Sequence, residues 1–366
     1  MAYAPIPMVP GPVSVHPEIV EVLAKDYPSG DLDGGFWDLY KETSEGIARV
    51  MQTKSDVVLM TGEGMLSLWS ALKSTLRAGD RVLTVGTGLF GDGIGDMAAS
   101  FGCEVCKVSL PYDETLPEAV ENLDMVEEAI ARFKPRMITA VHCETPSGTL
   151  NPLAGLGDLR RAMGVELFYV DAVASLGGAE VKADEWGVDL LLGGSQKAFS
   201  APPSMSFLSV SDAAWSRAEE IGYVGYDALL PFRTAVQNAY APYTPYWHGV
   251  AALKASVDIL EREGLEQVYA RHLAVSEQCR HGLAELGIPL WTAEHAVNSP
   301  TVTAAMVPEG FTWPEWQAAL KAQGLVVGGS YGPMDGKVFR LGHMGTQADA
   351  VLMDKALAVM ASVLKK

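Results

Sequence analysis

The stretch Val188-Asp189-Leu190-Leu191-Leu192-Gly193-Gly194-Ser195-Gln196-Lys197-Ala198 reads as a buried strand that runs into a glycine-rich turn carrying a lysine. Lysines avoid interiors, and desolvation at the mouth of such a strand disfavours the ammonium form and lowers the pKa. A free amine is what Schiff-base chemistry needs, because only the lone pair attacks a carbonyl. Taken alone, a lysine after a strand is an ordinary solvated loop residue. A second run, Leu167-Phe168-Tyr169-Val170-Asp171-Ala172, shifts that balance by placing Asp171 at the end of another apolar strand. An acid able to pair a pyridinium nitrogen and a lysine able to hold an aldehyde outline a pyridoxal site.

Working outward, short β-rich runs alternate with helical patterns between about residues 57 and 210. The strands expected are Val57–Met60, Arg81–Val85, Glu104–Ser109, Met137–Val141, Leu167–Val170, Val188–Leu192 and Met205–Val210. Helical patterns such as Met65–Leu76, Asp124–Phe133 and Leu153–Met163 lie between them. This spacing predicts an α/β fold with a mostly parallel sheet covered on both faces. Ligands in such sheets bind beyond the carboxyl ends of the strands. Glu63, Phe90, Thr145, Asp171 and Lys197 all follow strand candidates, so they should converge on one edge. Tyr223 to Trp247 is rich in Tyr, Pro and Gly and reads as an ordered aromatic surface loop suited to an interface. Helices are expected at Gly249–Glu263 and Leu265–Leu286. The division expected is an N-terminal arm (1–16), a large domain (17–262) and a smaller α+β C-terminal domain (263–366).

The 366 residues suffice for a substantial core and two lobes, and 48% of them are hydrophobic. A net charge of −18 disfavours nucleic acid and anionic membrane as partners. No apolar stretch approaches the roughly 20 residues that span a bilayer. The proline-rich N-terminus lacks the features of a signal peptide. Cys103, Cys106, Cys143 and Cys279 form no disulfide framework, and Cys103-x-x-Cys106 reads as buried or half-buried thiols inside a strand-like run rather than a metal or redox motif. The cytoplasm is the expected compartment.

Other segments admit two readings. Gly86-Thr87-Gly88-Leu89-Phe90-Gly91 matches G-x-G-x-x-G after a strand and before a helix, with Asp113 further on, the pattern of an NAD-dependent oxidoreductase. Against this, the unit is not the first of the sheet, Phe90 fills the approach of a pyrophosphate, and Asp171 and Lys197 stay unexplained. Turn chemistry accounts for Thr145-Pro146-Ser147-Gly148-Thr149, while a hydroxyl at Thr145 can also donate to a phenolate oxygen. Phe90 is either core or a stacking face for a flat heterocycle. Arg340, inside an apolar run, is either a structural ion pair or a clamp for a substrate carboxylate. His343 is expected to be a satisfied loop histidine, and His142 is ambiguous.

Together these residues resemble the class V aminotransferases of pyridoxal-phosphate fold type I, the alanine–glyoxylate and serine–pyruvate group. The resemblance runs nearly the whole length, through Pro10-Gly11-Pro12, Thr145-Pro146-Ser147-Gly148-Thr149, Val170-Asp171-Ala172-Val173, Gly194-Ser195-Gln196-Lys197 and Arg340-Leu341-Gly342. It implies a two-domain homodimer with shared active sites, using pyridoxal 5′-phosphate to move an amino group from an amino acid to a small 2-oxo acid, glyoxylate or pyruvate. Lys197 would form the Schiff base and shuttle the proton, while Asp171 would pair the ring nitrogen. Phe90 would stack on the ring, and Thr145 would contact its hydroxyl. Val173 and Gln196 would flank the cofactor, Arg340 would take the substrate carboxylate, and the backbone near Gly11 would assist. No cysteine follows Cys279 to serve a desulfurase as its nucleophile.

One departure stands out. Where the family places a small hydroxyl residue on the cofactor phosphate, this chain has Gly62-Glu63-Gly64. Two like unit charges 4 Å apart repel by roughly 4 kcal/mol at an effective dielectric near 20. Ala241 stands where relatives offer a tyrosine to the phosphate from the other subunit, while Thr244 still matches. A carboxylate in place of the phosphate resembles pyridoxamine–pyruvate transaminase, which treats unphosphorylated pyridoxal and pyridoxamine as substrates; Glu63 would then accept a hydrogen bond from the vitamin's 5′-hydroxyl. Tyr331 stands where that enzyme has a second substrate-loop arginine, and Phe90 replaces its tyrosine. The plainer alternative for Glu63 is an acid at a helix N-terminus, favoured by the dipole and facing water.

Overall fold

The computed structural model describes residues 5–365; residues 1–4 of the expected arm and Lys366 lie outside it. Seven strands form the main sheet in the order Asp56–Thr61, Met205–Val210, Leu190–Gly194, Leu167–Asp171, Met137–Val141, Arg81–Gly86, Glu104–Ser109. Each expected strand is present within a residue or two at its ends. The central strands are buried along their whole length, as a sheet covered on both faces requires. Met205–Val210 alone runs antiparallel to both neighbours. Its cause is chain length, because a parallel neighbour needs a crossover of about a dozen residues or more. The link from Gly194 to Met205 is shorter than that, so the chain turns straight back, and Lys197 sits in this turn.

The register brings the strand ends level. Asp171 lies opposite Val141 on one side and Leu192 on the other, and Thr61 lies opposite Met205. Hence the residues after Thr61, Gly86, Val141, Asp171 and Gly194 emerge on one edge. Helices Gly64–Thr75 and Leu89–Ser100 begin there, each N-terminus at the strand ends. Helix Asp124–Phe133 is present as expected, and those expected at Gly249–Glu263 and Leu265–Leu286 run Trp247–Glu263 and Leu265–Glu285, separated at Gly264, whose φ of 88° ends one helix and starts the next.

A second sheet orders Ile6–Met8, Leu325–Gly329, Val338–Gly342 and Val302–Met306. The start of the chain therefore forms an edge strand of the C-terminal sheet, pairing in parallel with Leu325–Val327. Ile6 and Met8 pack in one apolar cluster with Trp316, Phe339 and Met360. Gln347 Nε2 donates to the Val9 carbonyl at 2.8 Å and holds the exit from that strand. The arm thus belongs to the C-terminal core while its next residues reach the main sheet.

The segment Tyr223–Trp247 is mostly irregular, with short helical turns at Leu230–Phe232 and Ala235–Asn238. Its order comes from aromatic contacts, including Tyr226 stacked on Tyr243 at 4.5 Å. All four cysteines are free. Trp316 is fully buried in the second core, so Trp316→Ala should cost about 3–5 kcal/mol through lost burial and a residual cavity; a denaturant melt within experimental error of wild type would contradict this packing.

Candidate active site

The turn that carries Lys197 is fixed by backbone and side-chain bonds. Ser195 and Met205 close it, with the Ser195 hydroxyl donating to the Pro202 carbonyl at 2.5 Å. Lys197 is half-buried and joins no ion pair; its Nζ donates to the Pro10 carbonyl at 2.5 Å. Burial, helped by the positive charge of Arg340, lowers its pKa to about 8. The chain at Gly11 crosses directly over this amine. A Cβ on Gly11 would lie 2.6 Å from Lys197 Nζ, and its φ of +90° also excludes most side chains.

Asp171 ends the central strand and is buried, accepting a hydrogen bond from the Val173 N–H at 2.8 Å. Burial raises its pKa to about 6, against the lowering influence of that N–H and of Lys197, and Glu63 pushes the same way as burial. Asp171, Val173 and Lys197 line one cleft with Glu63, Gly64, Phe90, Thr145 and Gln196, enclosing about 560 Å³ including its open mouth. An aldehyde-reactive amine, an acid for a ring nitrogen and an aromatic wall therefore fit a pyridine ring.

Glu63 is the N-cap of helix Gly64–Thr75. Its Oε1 accepts from the Met65 N–H at 3.1 Å and its Oε2 from Gln196 Nε2, also at 3.1 Å. It is half-buried and faces the cleft rather than open water. Gly62, just before it, ties the strand exit to the Ser204 carbonyl at 2.8 Å. A helix N-terminus is a ready anion site, and here the protein's own carboxylate fills it. The ring part of pyridoxal phosphate fits these residues; its phosphate meets an anion already in place.

Phe90 is 37% exposed on the opposite wall. Its turn corrects the dinucleotide reading. Glu144, fully buried, accepts from the N–H groups of Phe90 at 3.2 Å and Gly91 at 2.5 Å. A Cβ on Gly88 would lie 2.5 Å from the Glu144 carboxyl carbon. The glycines of Gly86-Thr87-Gly88-Leu89-Phe90-Gly91 thus make room for an internal carboxylate, which occupies the helix end where a pyrophosphate would bind. Asp113 is half-buried, and its backbone carbonyl accepts from Ala293.

Arg340 lies on Val338–Gly342, buried beside the cleft. Its Nε donates to the Gly329 carbonyl at 2.6 Å and one Nη to the Thr145 carbonyl at 3.4 Å. No carboxylate pairs with it among the described residues. Tyr331, 53% exposed, stacks over the guanidinium at 4.8 Å. Thr244 is exposed and does not line this cleft. Both histidines are buried and occupied, His343 between Thr303 and the Pro300 carbonyl and His142 against Ser175. Burial lowers each to about 3, so neither titrates near neutrality.

Residues 29–333 match the family Aminotransferase class-V. Pyridoxamine–pyruvate transaminase of Mesorhizobium japonicum is 29% identical over 98% of this chain and 91% of its own length. Alanine–glyoxylate aminotransferase of Oryctolagus cuniculus is 30% identical over 97% of this chain and 91% of its own. The crystal structure of pyridoxamine–pyruvate aminotransferase from Mesorhizobium loti superposes with a TM-score of 0.93 at 27% identity, covering 100% of this chain and 93% of that one. This chain is a class V aminotransferase. Its fold is that of the fold type I pyridoxal enzymes, and a vitamin B6 species is the group its chemistry requires.

In this aminotransferase, Glu144 and the Pro10 carbonyl were not visible as site residues in the sequence. Glu144 is an acid just past a strand, the same signal that marks Asp171, but it lies in a turn whose composition already accounts for its residues. Cys103 is buried and Cys106 half-buried, and Cys143, also buried, lines the cleft.

Two outcomes follow for the amine. The rate at which added pyridoxal bonds to Lys197 should rise with pH through about 8, because the ammonium form prevails below that value and the free amine above it; a profile flat across that point would contradict the lowered pKa. Gly11→Ala should slow that capture by tenfold or more, roughly the effect of 1.4 kcal/mol, since the new methyl meets Nζ; unaltered capture kinetics would show that the crossing strand yields.

Proposed function

We propose that this aminotransferase moves amino groups to a small 2-oxo acid, glyoxylate or pyruvate, and that it takes unphosphorylated vitamin B6 as a substrate. One observation carries the choice of vitamer: the Glu63 carboxylate caps helix Gly64–Thr75 and is held there by Gln196. A phosphate would face like charge at that point, whereas a 5′-hydroxyl would donate to Glu63. The name of the Mesorhizobium relative, a pyridoxamine–pyruvate transaminase, supports the same reading.

When bound, the pyridoxal supplies the aldehyde carbon and the electron-accepting ring. The rest falls to the chain. Asp171 holds the proton on the ring nitrogen, and binding that cation keeps the carboxyl ionised against its burial. The Lys197 amine would hold the aldehyde carbon and, once released from it, would carry a proton between Cα and C4′. Thr145 presents its hydroxyl to the ring oxygen. Arg340 has no competing carboxylate, so it orients that of the oxo acid, with Tyr331 closing one face of its fork. We further propose a homodimer, supported by the exposed, ordered aromatic segment around Tyr226, Tyr240 and Thr244, and a cytoplasmic location, supported by the free cysteines.

Lys197→Ala should abolish both the pyridoxal absorbance change and turnover; residual transamination at wild-type rate would defeat the assignment. The vitamer is tested by dialysis and mass spectrometry. The purified protein should lose its B6 species on dialysis and form no amino acid from the oxo acid unless pyridoxamine is added, and tightly retained pyridoxal phosphate would instead make it a resident cofactor. Glu63→Ser should raise the affinity for pyridoxal phosphate relative to pyridoxal at least tenfold, given a repulsion on the order of several kcal/mol removed; an unchanged ratio would show that Glu63 does not read the 5′ position.

A further inference from the structure

We propose that Glu144 is a positioning residue that fixes the Gly88–Gly91 turn, so that the Phe90 ring stands over the cleft as the face on which the pyridoxal ring stacks. The inference rests on the pyridoxal reading above. Helix Leu89–Ser100 starts at Gly88, which has no side chain to cap it. Serine, aspartate or asparagine at that position would satisfy the helix end locally. Instead the cap comes from a different element, the strand end Cys143–Glu144, and two N–H groups, those of Phe90 and Gly91, are taken by one carboxylate. A local cap would fix the helix end alone. A cap from the strand fixes Phe90 relative to the sheet edge.

The arrangement is costly to maintain. Glu144 is fully buried, and among the described residues no basic partner forms an ion pair with it. Burial and the nearby charges of Asp171 and Asp92 push its pKa up to about 8, while the two N–H groups oppose that rise. Gly88 and Gly91 have left space for it. On either side in sequence, Cys143 and Thr145 line the cleft, and the Thr145 carbonyl receives Arg340 at 3.4 Å. One short segment therefore sets the ring-stacking wall from one side of its backbone and the carboxylate clamp from the other.

The test uses the full-length protein with pyridoxamine as the probe in equilibrium dialysis. Glu144→Ala should weaken binding roughly tenfold, the scale of one lost hydrogen bond. In the Phe90→Ala background the same change should add little, because the wall it positions is already gone. Additive losses, or unchanged affinity in the single variant, would overturn the inference. Glu144→Gln guards against misfolding, since it keeps side-chain size and one acceptor. In that variant amide exchange at Phe90 and Gly91 should accelerate while the central strands keep their protection; exchange identical to wild type would also overturn it. A wild-type protein that binds neither pyridoxamine nor pyridoxal phosphate would defeat the proposed function, and this inference with it, whereas wild-type binding with additive effects defeats this inference alone.

Discussion

Lys197, half-buried, and Asp171, buried, stand on the same sheet edge, and no salt bridge joins them. Each bears the cost of desolvation separately, which is why the amine is drawn down towards neutrality and the acid is drawn up. Each charge still favours the other's ionised form, but less strongly than burial opposes it. Here they are kept apart by rigid supports: Lys197 by the Pro10 carbonyl, Asp171 by the strand it ends and the Val173 N–H. Both line one cleft. Strand register, the short return link and the crossing arm all serve to hold that cleft open.

Three carboxylates surround this cleft, and each is handled differently. Asp171 keeps an oxygen for a ring cation. Glu63 uses a helix N-terminus and the Gln196 amide, turning an anion-binding element into a hydrogen-bond acceptor. Glu144 is buried outright at a second helix N-terminus. Two of the helix ends that α/β proteins commonly offer to phosphates are thus closed by the protein's own acids. That pattern explains both the apparent dinucleotide fingerprint and the departure at Gly62-Glu63-Gly64.

The main sheet was legible in the sequence because its strands are short apolar runs with helical patterns between them, and because their ends carry chemistry-bearing residues. Lys197 and Asp171 were legible for the same reason. The direction of Met205–Val210 depends on the length of a connection, which periodicity does not reveal. Ile6–Met8 is too short and proline-flanked to announce a strand, and its partner Leu325–Gly329 lies over three hundred residues away. Glu144 was hidden because its role is defined by two backbone N–H groups of another segment, and nothing in its own neighbours encodes that contact. Thr244 matched a pattern but lies outside this chain's cleft, as a residue offered to a neighbouring subunit would.

The first strand of the chain belongs to the C-terminal sheet, and two residues beyond it the Pro10 carbonyl holds the reactive amine. The arm is therefore a short, stiff tether between two separately packed cores. The strand that closes the edge of the C-terminal sheet and the carbonyl that accepts from Lys197 Nζ lie on one short stretch of chain, so the smaller core takes part in placing the amine of the larger one.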